Sequence, residues 1–444
     1  MSDLQNLAEV AISAASKLEA DDAIALAIDG KQRILRFANN SVTVANQTEE
    51  TELMVFLSKD KRTAIAVTSN PVESDVRSFV GELFSSLKGL PETDHAPLPA
   101  KAGKYRPASG SHDERIAKAV DEIPGLAKQA IDASVEAGSK RAAGIITAST
   151  LGYSLLATNG TTGSDQRSEI TLNIRAFSEG DASGHGLSCS ASMAEFDPAG
   201  AGRRAGSDAR RMIGASFPEA GDYEVLLSPT VASNLVECVV DASSAFSVEA
   251  GRSYLADKIG RPVAASGLSL SDHGRLRGAL GGRLFDDEGM PTGSTPVIDH
   301  GQLKGYLHNL TTARRWKTET TGNAGILTPH AWNIEVGPGD SSFDEMVKGM
   351  KRGIILTSNW YTRFTNYRTG EFSTVPRDGA FLVEGGKVTK PLKGMRVSDG
   401  LERMFSSVRM LSKERQWIEW WEVDTPTLCP WMLIDGVKIT RAFE

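Results

Sequence analysis

The chain has 444 residues, of which 40% are hydrophobic, so it can bury a large core and is long enough for two or three domains. A formal net charge of −7, with no window dominated by Lys and Arg, argues against nucleic-acid binding. The three cysteines are widely spread and odd in number, the N-terminus is acidic and no eighteen apolar residues run together, so we expect a cytoplasmic protein without disulfides or a membrane span.

The first 90 residues are predicted to form an N-terminal α+β domain. Apolar residues recur with helical period from Leu4 to Ala14, strand-like alternation follows, and helical period returns in VESDVRSFVGELFSSLKGL. Residues 91–112 are rich in proline, small and charged residues, which is typical of a linker.

The next segment, residues 113–219, repeats this order and is predicted to be a central α+β domain. A helical pattern leads into the strand patterns AAGIITAS, YSLLATNG and ITLNIRAF, and a helix is expected around Gly202 to Ser216. The similar order of the two segments indicates an internal repeat. Strands separated by short Gly-bearing turns then predict a larger, mainly antiparallel β domain over 220–444, so the fold class is α+β.

The stretch SNLVECVVDASSAF raises the question of a metal site, because it carries a thiol and two carboxylates on a predicted helix. On a helical wheel Ser233, Glu237, Asp241 and Ser244 form one polar stripe, and Cys238 is assigned to the apolar side, away from the carboxylates. We therefore expect a buried thiol and a solvated acidic stripe. A metal site and a stripe that faces a partner subunit stay open as alternatives.

Two acidic residues in the motif FDDEG, Asp286 and Asp287, could bind a cation or a peptide amine. The same residues are typical of a hairpin turn in which acidic side chains accept hydrogen bonds from the neighbouring backbone. We favour the turn over a binding site. The segment Thr321, Gly322 and Asn323 either presents backbone groups to a peptide or closes a loop.

Two segments are dense in aromatic residues, WYTRF and QWIEWW. Aromatic side chains are common in interface anchors and in cores alike. Trp420 and Trp421 are therefore candidates for an interface or a cleft wall.

Three separated motifs, FDDEG, GQLKGYL and TGNA, occur in the order and spacing of the TldD/PmbA family, which this region resembles. RFANNSV, YEVLLSP followed by a helix, and TGEFSTVPRDGAFLVEGG are also similar to parts of that family. The resemblance extends from about residue 20 to the C-terminus, and it implies a TldD/PmbA-like α+β fold.

TldD-type members of the family carry HExxxH on the helix after YEVLLSP, and this motif binds a catalytic zinc together with a later cysteine. Aligned on YEVLLSP, this chain has Glu237, Cys238 and Ala242 in place of the His, Glu and His, and the cysteine position falls near Ser412 to Glu414. The resemblance therefore implies a metal-free TldE/PmbA-type subunit. No catalytic residue and no cofactor is expected in this chain, and zinc is expected only in a TldD-type partner.

The resemblance further implies a non-catalytic subunit of a metalloprotease assembly that binds and degrades unfolded or modified peptides. Its partner would be a TldD-type subunit in a heterodimer, or a second copy in a homodimer, with peptides as substrates. The alternative is a stand-alone peptide-binding or scaffold homodimer. An independent hydrolase with a nucleophile unrelated to zinc is disfavoured, because the sequence lacks G-x-S-x-G and a convincing Ser/His/Asp order. The candidate cavity-lining residues are Glu237, Asp241, Asp286, Asp287, Thr321, Gly322, Asn323, Trp420 and Trp421.

Overall fold

The computed structural model describes residues 2–99, 105, 111–325 and 327–441. In the first half of the chain, long alternating patterns form a six-stranded sheet in the order β3-β2-β1-β4-β5-β6, with every neighbouring pair antiparallel. The strands are β1 Asp22–Ala38, β2 Ser41–Lys59, β3 Arg62–Ser69, β4 Arg141–Ala157, β5 Thr162–Phe177 and β6 Ser183–Ser190.

This one sheet joins the two segments that the sequence predicts as separate domains. β1 and β4 pair along most of their length, from Ile24 opposite Ala157 to Phe37 opposite Gly144. The order of strands is symmetrical about this pair, so the repeated helix-and-strand order in the sequence corresponds to two halves of a single sheet. Much of the predicted linker, residues 100–104 and 106–110, lies outside the described residues.

Helices cover one face of this sheet. The apolar stripe predicted from Leu4 to Ala14 is buried. Two glycines, Gly202 and Gly206, let two later helices pack closely. A Cβ atom at Gly202 would lie 2.1 Å from the carbonyl oxygen of Ala130. The helix expected around Gly202 to Ser216 begins earlier and ends at Arg211. The helices are α1 Ser2–Lys17, α2 Glu73–Ser86, α3 Glu114–Lys118, α4 Ile123–Glu136 and α5 Pro198–Arg211.

The second half forms a thirteen-stranded sheet in which antiparallel pairs dominate, as predicted. Its main path runs β10-β9-β8-β11-β19-β7-β12-β15-β16, and only the β11–β19 and β7–β12 pairs along it are parallel. The strands are β7 Gly221–Leu227, β8 Leu270–His273, β9 Ser294–Asp299, β10 Gln302–Leu303, β11 Ile334–Val336, β12 Arg352–Leu356, β13 Asn359–Asn366, β14 Glu371–Pro376, β15 Ala380–Glu384, β16 Lys387–Pro391, β17 Met395–Gly400, β18 Val408–Trp420 and β19 Val423–Arg441.

One helix of this half, α6, packs its apolar side against the sheet. Ser228 caps its N-terminus by accepting a hydrogen bond from the N–H of Val231, and Pro229 occupies the first turn. The helices are α6 Pro229–Ala242, α7 Ala245–Glu249, α8 Leu310–Trp316, α9 Phe343–Lys348 and α10 Leu401–Ser406. The α+β prediction is confirmed. Within the described ranges, none of the helices combines the length and apolar character that a membrane crossing requires.

Candidate functional site

The acidic side of α6 is attached to the hairpin between β18 and β19. The Oε1 atom of Glu237 accepts a hydrogen bond from the backbone N–H of Thr425 at 2.5 Å, and Asn234 donates to the carbonyl oxygen of Glu422 at 2.5 Å. Because the hairpin covers the first half of the polar stripe, Ser233 is fully buried. The prediction of a solvated stripe is therefore wrong for this half of the helix.

Cys238 does not face away from the carboxylates, which corrects the sequence interpretation. It is half-buried against the core, and together with Asp241 it lines a cleft of about 450 Å³. The error came from reading the wheel too coarsely, because residues three apart on a helix differ by only about 60° and are neighbours on its surface. We call this space the α6 cleft; its other walls include Ala242, Arg252, His330, Phe364 and Tyr367.

Burial shifts the titration of all three groups on this part of α6. Desolvation raises the pKa of Glu237 to about 8, with repulsion from Asp241 and Asp424 adding to the effect. Desolvation raises the pKa of Asp241 to about 6, and repulsion from Asp424 adds to the effect. The side chain of Asp241 nevertheless reaches solvent through the open cleft. Burial also raises the pKa of the Cys238 thiol. A protonated thiol is a poor nucleophile and a poor metal ligand.

The FDDEG motif forms the turn that its sequence favours. The Oδ1 atom of Asp286 accepts hydrogen bonds from the N–H groups of Glu288 and Met290 at 3.0 and 2.8 Å, and its Oδ2 accepts one from Ala324 at 3.0 Å. Asp287 forms an ion pair with Arg283 at 2.7 Å. Asp286 is completely buried, so its oxygens hold FDDEG against the neighbouring TGNA segment.

The TGNA segment closes a loop that forms part of the cleft wall. The side chain of Asn323 is fully buried and donates to Asp272 at 2.6 Å and to the carbonyl oxygen of His330 at 2.9 Å. Thr321 accepts a hydrogen bond from the His308 N–H at 2.8 Å. Gly322 has φ 69°, a conformation that favours glycine. We refer to these residues and the FDDEG turn as the motif network, and it positions His330 beside the α6 cleft.

The two candidate tryptophans have different surroundings. Trp420 is half-buried and packs on His185 of β6, with ring centroids 4.7 Å apart. Trp421 is 49% exposed at the hairpin turn and packs edge-on against Trp360 at 4.4 Å. Tyr361, 56% exposed with a left-handed φ of 57°, lies next to this pair. Trp421 and Tyr361 thus form an exposed aromatic patch, whereas Trp420 joins the two sheets.

Sequence reasoning missed the side chains that complete the α6 cleft and a charged cluster behind it. Arg252 and Tyr367 face each other, with the guanidinium carbon 4.7 Å from the ring centroid. Glu169 on β5 and Glu419 on β18 lie close to Arg167, and burial raises the pKa of both carboxyls. These residues come from distant parts of the chain, and the density of aromatic residues in WYTRF was the one local signal for the cleft wall.

The family model for the PmbA/TldA metallopeptidase C-terminal domain matches residues 220–441, which are 222 of the 444 residues. The chain belongs to the TldD/PmbA family. A metalloprotease of Methanocaldococcus jannaschii is 33% identical over 216 residues, which are 46% of this chain and 47% of that protein. The metalloprotease PmbA of Escherichia coli O157:H7 is 29% identical over 185 residues, 41% of this chain and 39% of that protein. These matches span about half, or less, of the relatives' lengths.

The crystal structure of TldE from Thermococcus kodakarensis has the same fold as this TldD/PmbA-family chain. The TM-score is 0.88, over 98% of this chain and 100% of the other, at 19% sequence identity. A likeness at this level of identity establishes the fold and leaves activity open.

The residues on α6 of this TldD/PmbA-family chain do not fit the zinc that TldD-type members of the family hold on the equivalent helix. Ala242 carries no donor atom, one carboxylate oxygen of Glu237 is bonded to a backbone N–H, and the Cys238 thiol is held protonated. In the part of the chain that the structure describes, no group of three or more His, Cys, Asp or Glu side chains is arranged to hold a metal ion. The side chains of this helix therefore cannot support a zinc-dependent reaction.

Proposed function

We propose that this chain is the non-catalytic, peptide-binding subunit of a TldD/TldE-type metalloprotease assembly that degrades unfolded or modified peptides in the cytoplasm. The observation that carries the proposal is that the side chains of α6 cannot hold a zinc ion. Where the resemblance implies zinc ligands in a catalytic chain, Glu237 is bonded to the hairpin at Thr425 and Ala242 has no ligand atom. The zinc and the catalytic residues belong, on this proposal, to a TldD-type partner.

The α6 cleft supports the peptide-binding part of the proposal. A cavity of about 450 Å³ that is lined by aromatic side chains and by Asp241 is of the size and kind that holds a short peptide segment. Phe246, 45% exposed, borders both this cleft and a neighbouring cavity of about 220 Å³ that reaches β2 and β3. The two spaces together offer room for an extended chain, a mode of binding that depends little on side-chain sequence.

The exposed aromatic patch of Trp421 and Tyr361 supports a subunit contact. Large exposed aromatic side chains that cluster are enriched where proteins associate. Trp421 lies on the hairpin that Glu237 and Asn234 fasten to α6, and Tyr361 on β13 donates its backbone N–H to Glu422 of that hairpin, so a partner bound there would lie close to the α6 cleft.

The test is to assay hydrolysis of unfolded casein by the full chain alone, by a TldD-type chain with HExxxH alone, and by their mixture. We expect cleavage to require the TldD-type chain and to increase in the mixture, with a complex visible by size-exclusion chromatography. Replacing the Glu of HExxxH by Gln in the partner should abolish it. Cleavage by this chain alone at the rate of the mixture would contradict the proposal.

A stand-alone peptide-binding homodimer is the second candidate, because the open α6 cleft with its aromatic walls would serve such a protein equally well. It would bind unfolded casein in the same assay but would neither form a complex with the TldD-type chain nor change its rate of hydrolysis.

A further inference from the structure

A third cavity, of about 400 Å³, lies between the two sheets at the N-terminal end of α6. One wall is α5 of the first half, and the other is the start of α6 with parts of β12, β18 and β19. It is open to solvent and lies at the opposite end of α6 from the cleft that holds Asp241. We call it the basic pocket.

Positive charge dominates the basic pocket. Three of its wall residues are arginines on α5, Arg203, Arg204 and Arg211, and Asp208 is the one acidic residue among those lining it. Arg211 is paired with Asp208 at 3.2 Å, and Arg204 donates to the carbonyl oxygen of Leu187 at 2.6 Å. The exposed Arg203 has neither a hydrogen-bond acceptor nor an ion-pair partner among the described residues. Three cations and one anion therefore leave the pocket with a surplus of positive charge.

The fixed positions of two of these arginines suit the capture of an anion. The Arg211 guanidinium stacks on the ring of Phe381 at 3.9 Å, and Arg204 is held by the Leu187 carbonyl, so both lose little freedom when a ligand binds. Guanidinium groups bind carboxylates and phosphates through paired, charge-assisted hydrogen bonds. Arg203 remains free to complete such a contact.

Two further features define the ligand. Thr230 lies in the first turn of α6, where backbone N–H groups have no intrahelical acceptor and the helix dipole favours negative charge. On the other side, Phe343 and Trp431 pack edge-on at 4.8 Å and present an aromatic wall. The pocket thus combines donors for an oxyanion with a surface for an apolar group.

We propose that the basic pocket binds a small organic oxyanion, in which a carboxylate or phosphate meets Arg203, Arg204 and Arg211 and an apolar group packs on Trp431. This site is separate from the peptide cleft in position, and it has a surplus of positive charge that the cleft, with one aspartate and one arginine, lacks. It stands whether or not the chain is a protease subunit, because no residue of the basic pocket belongs to the α6 cleft.

The experiment is isothermal titration of the full chain with benzoate, phenyl phosphate, inorganic phosphate and the neutral benzyl alcohol. We expect at least one organic anion to bind about tenfold more tightly than benzyl alcohol and inorganic phosphate, and the stronger of benzoate and phenyl phosphate identifies the preferred oxyanion. Arg203→Gln should weaken that binding about tenfold. The matched control is Arg210→Gln, an exposed arginine of the same helix outside the pocket wall, which should leave binding unchanged.

Circular dichroism of both variants checks that the helices are retained. The proposal is overturned if neither organic anion binds at millimolar concentration, if Arg203→Gln binds as tightly as the parent chain, or if benzyl alcohol or inorganic phosphate binds as tightly as the organic anions.

Discussion

The motif network and the α6 cleft lie side by side in the second half of the chain, and they use acidic side chains in opposite ways. Asp286 is completely enclosed and accepts three backbone hydrogen bonds, so it stabilises a turn. Asp241 lies in an open cleft with solvent on one side. The recognisable FDDEG motif therefore stabilises the fold, whereas the carboxylate that a ligand can reach, Asp241, belongs to none of the recognised motifs.

The two regions are nevertheless connected. Asn323 of the motif network bonds to the carbonyl oxygen of His330, and His330 lines the α6 cleft. On the other side of the cleft, Glu237 bonds to the hairpin at Thr425. Damage to the network should therefore lower stability strongly, whereas changes within the cleft should chiefly affect binding.

The largest effect is expected for Asp286→Ala, because it leaves three backbone N–H groups without an acceptor. We expect the free energy of unfolding to fall by about 3 kcal/mol, measured by urea denaturation. The control Asp299→Ala removes an exposed acid at the end of β9 and should change stability by less than about 0.5 kcal/mol. Equal losses in the two variants would show that Asp286 does not hold the network together.

The next effect concerns pH. The pKa of Glu237 is raised from 4.5 to about 8 in the folded chain, so the folded state keeps this proton to higher pH than the unfolded state. Its contribution to stability is therefore fully present below about pH 4.5 and is lost as pH rises toward 8. Glu237→Gln keeps an acceptor for Thr425 but cannot ionise, and it should reduce the loss of stability between pH 5 and pH 8 by roughly 2 kcal/mol.

Urea denaturation at both pH values measures this difference. Glu414→Gln, an exposed change on β18, is the matched control and should follow the parent profile. If Glu237→Gln also follows the parent profile, Glu237 is not the buried acid that the structure describes.

A smaller effect is expected for association. Trp421→Ala removes a half-exposed ring from the aromatic patch and should weaken dimerisation, with itself or with a TldD-type chain, about tenfold in sedimentation equilibrium. Val67→Ala, an exposed apolar change on β3, should leave it unaffected. A parent chain that stays monomeric with and without the partner would remove the basis for this prediction.

The smallest effect on stability is expected within the cleft. Asp241→Asn should not lower the free energy of unfolding, because no hydrogen bond among the described residues depends on this exposed carboxylate and because the desolvation that raises its pKa to about 6 already disfavours the charge. Fluorescence anisotropy should show about threefold weaker binding of a basic unfolded peptide, because one attractive charge is lost. Asp344→Asn on α9, outside the cleft, is the control. Unchanged peptide binding in Asp241→Asn would place the peptide elsewhere.

The sequence was sufficient to predict the α+β class, the mainly antiparallel second half and the helix after YEVLLSP, because these depend on local periodicity. It could not predict that β1 pairs with β4, since Ile24 and Ala157 are far apart in the chain and alternation does not reveal a strand's neighbour. For the same reason the partner of Glu237 was missed, because Thr425 lies 188 residues further along. The turn at Asp286 was predictable because its acceptors and donors are local.

The most direct test of the central claim is zinc binding by the full chain on its own. The purified chain is incubated with excess zinc, passed through gel filtration and subjected to elemental analysis, with Glu237→Ala treated in parallel. We predict zinc well below one ion per chain for both proteins, because α6 offers no imidazole and Glu237 is bonded to the hairpin. One zinc per chain in the parent, lost in Glu237→Ala, would contradict this account of α6 and the non-catalytic role built on it.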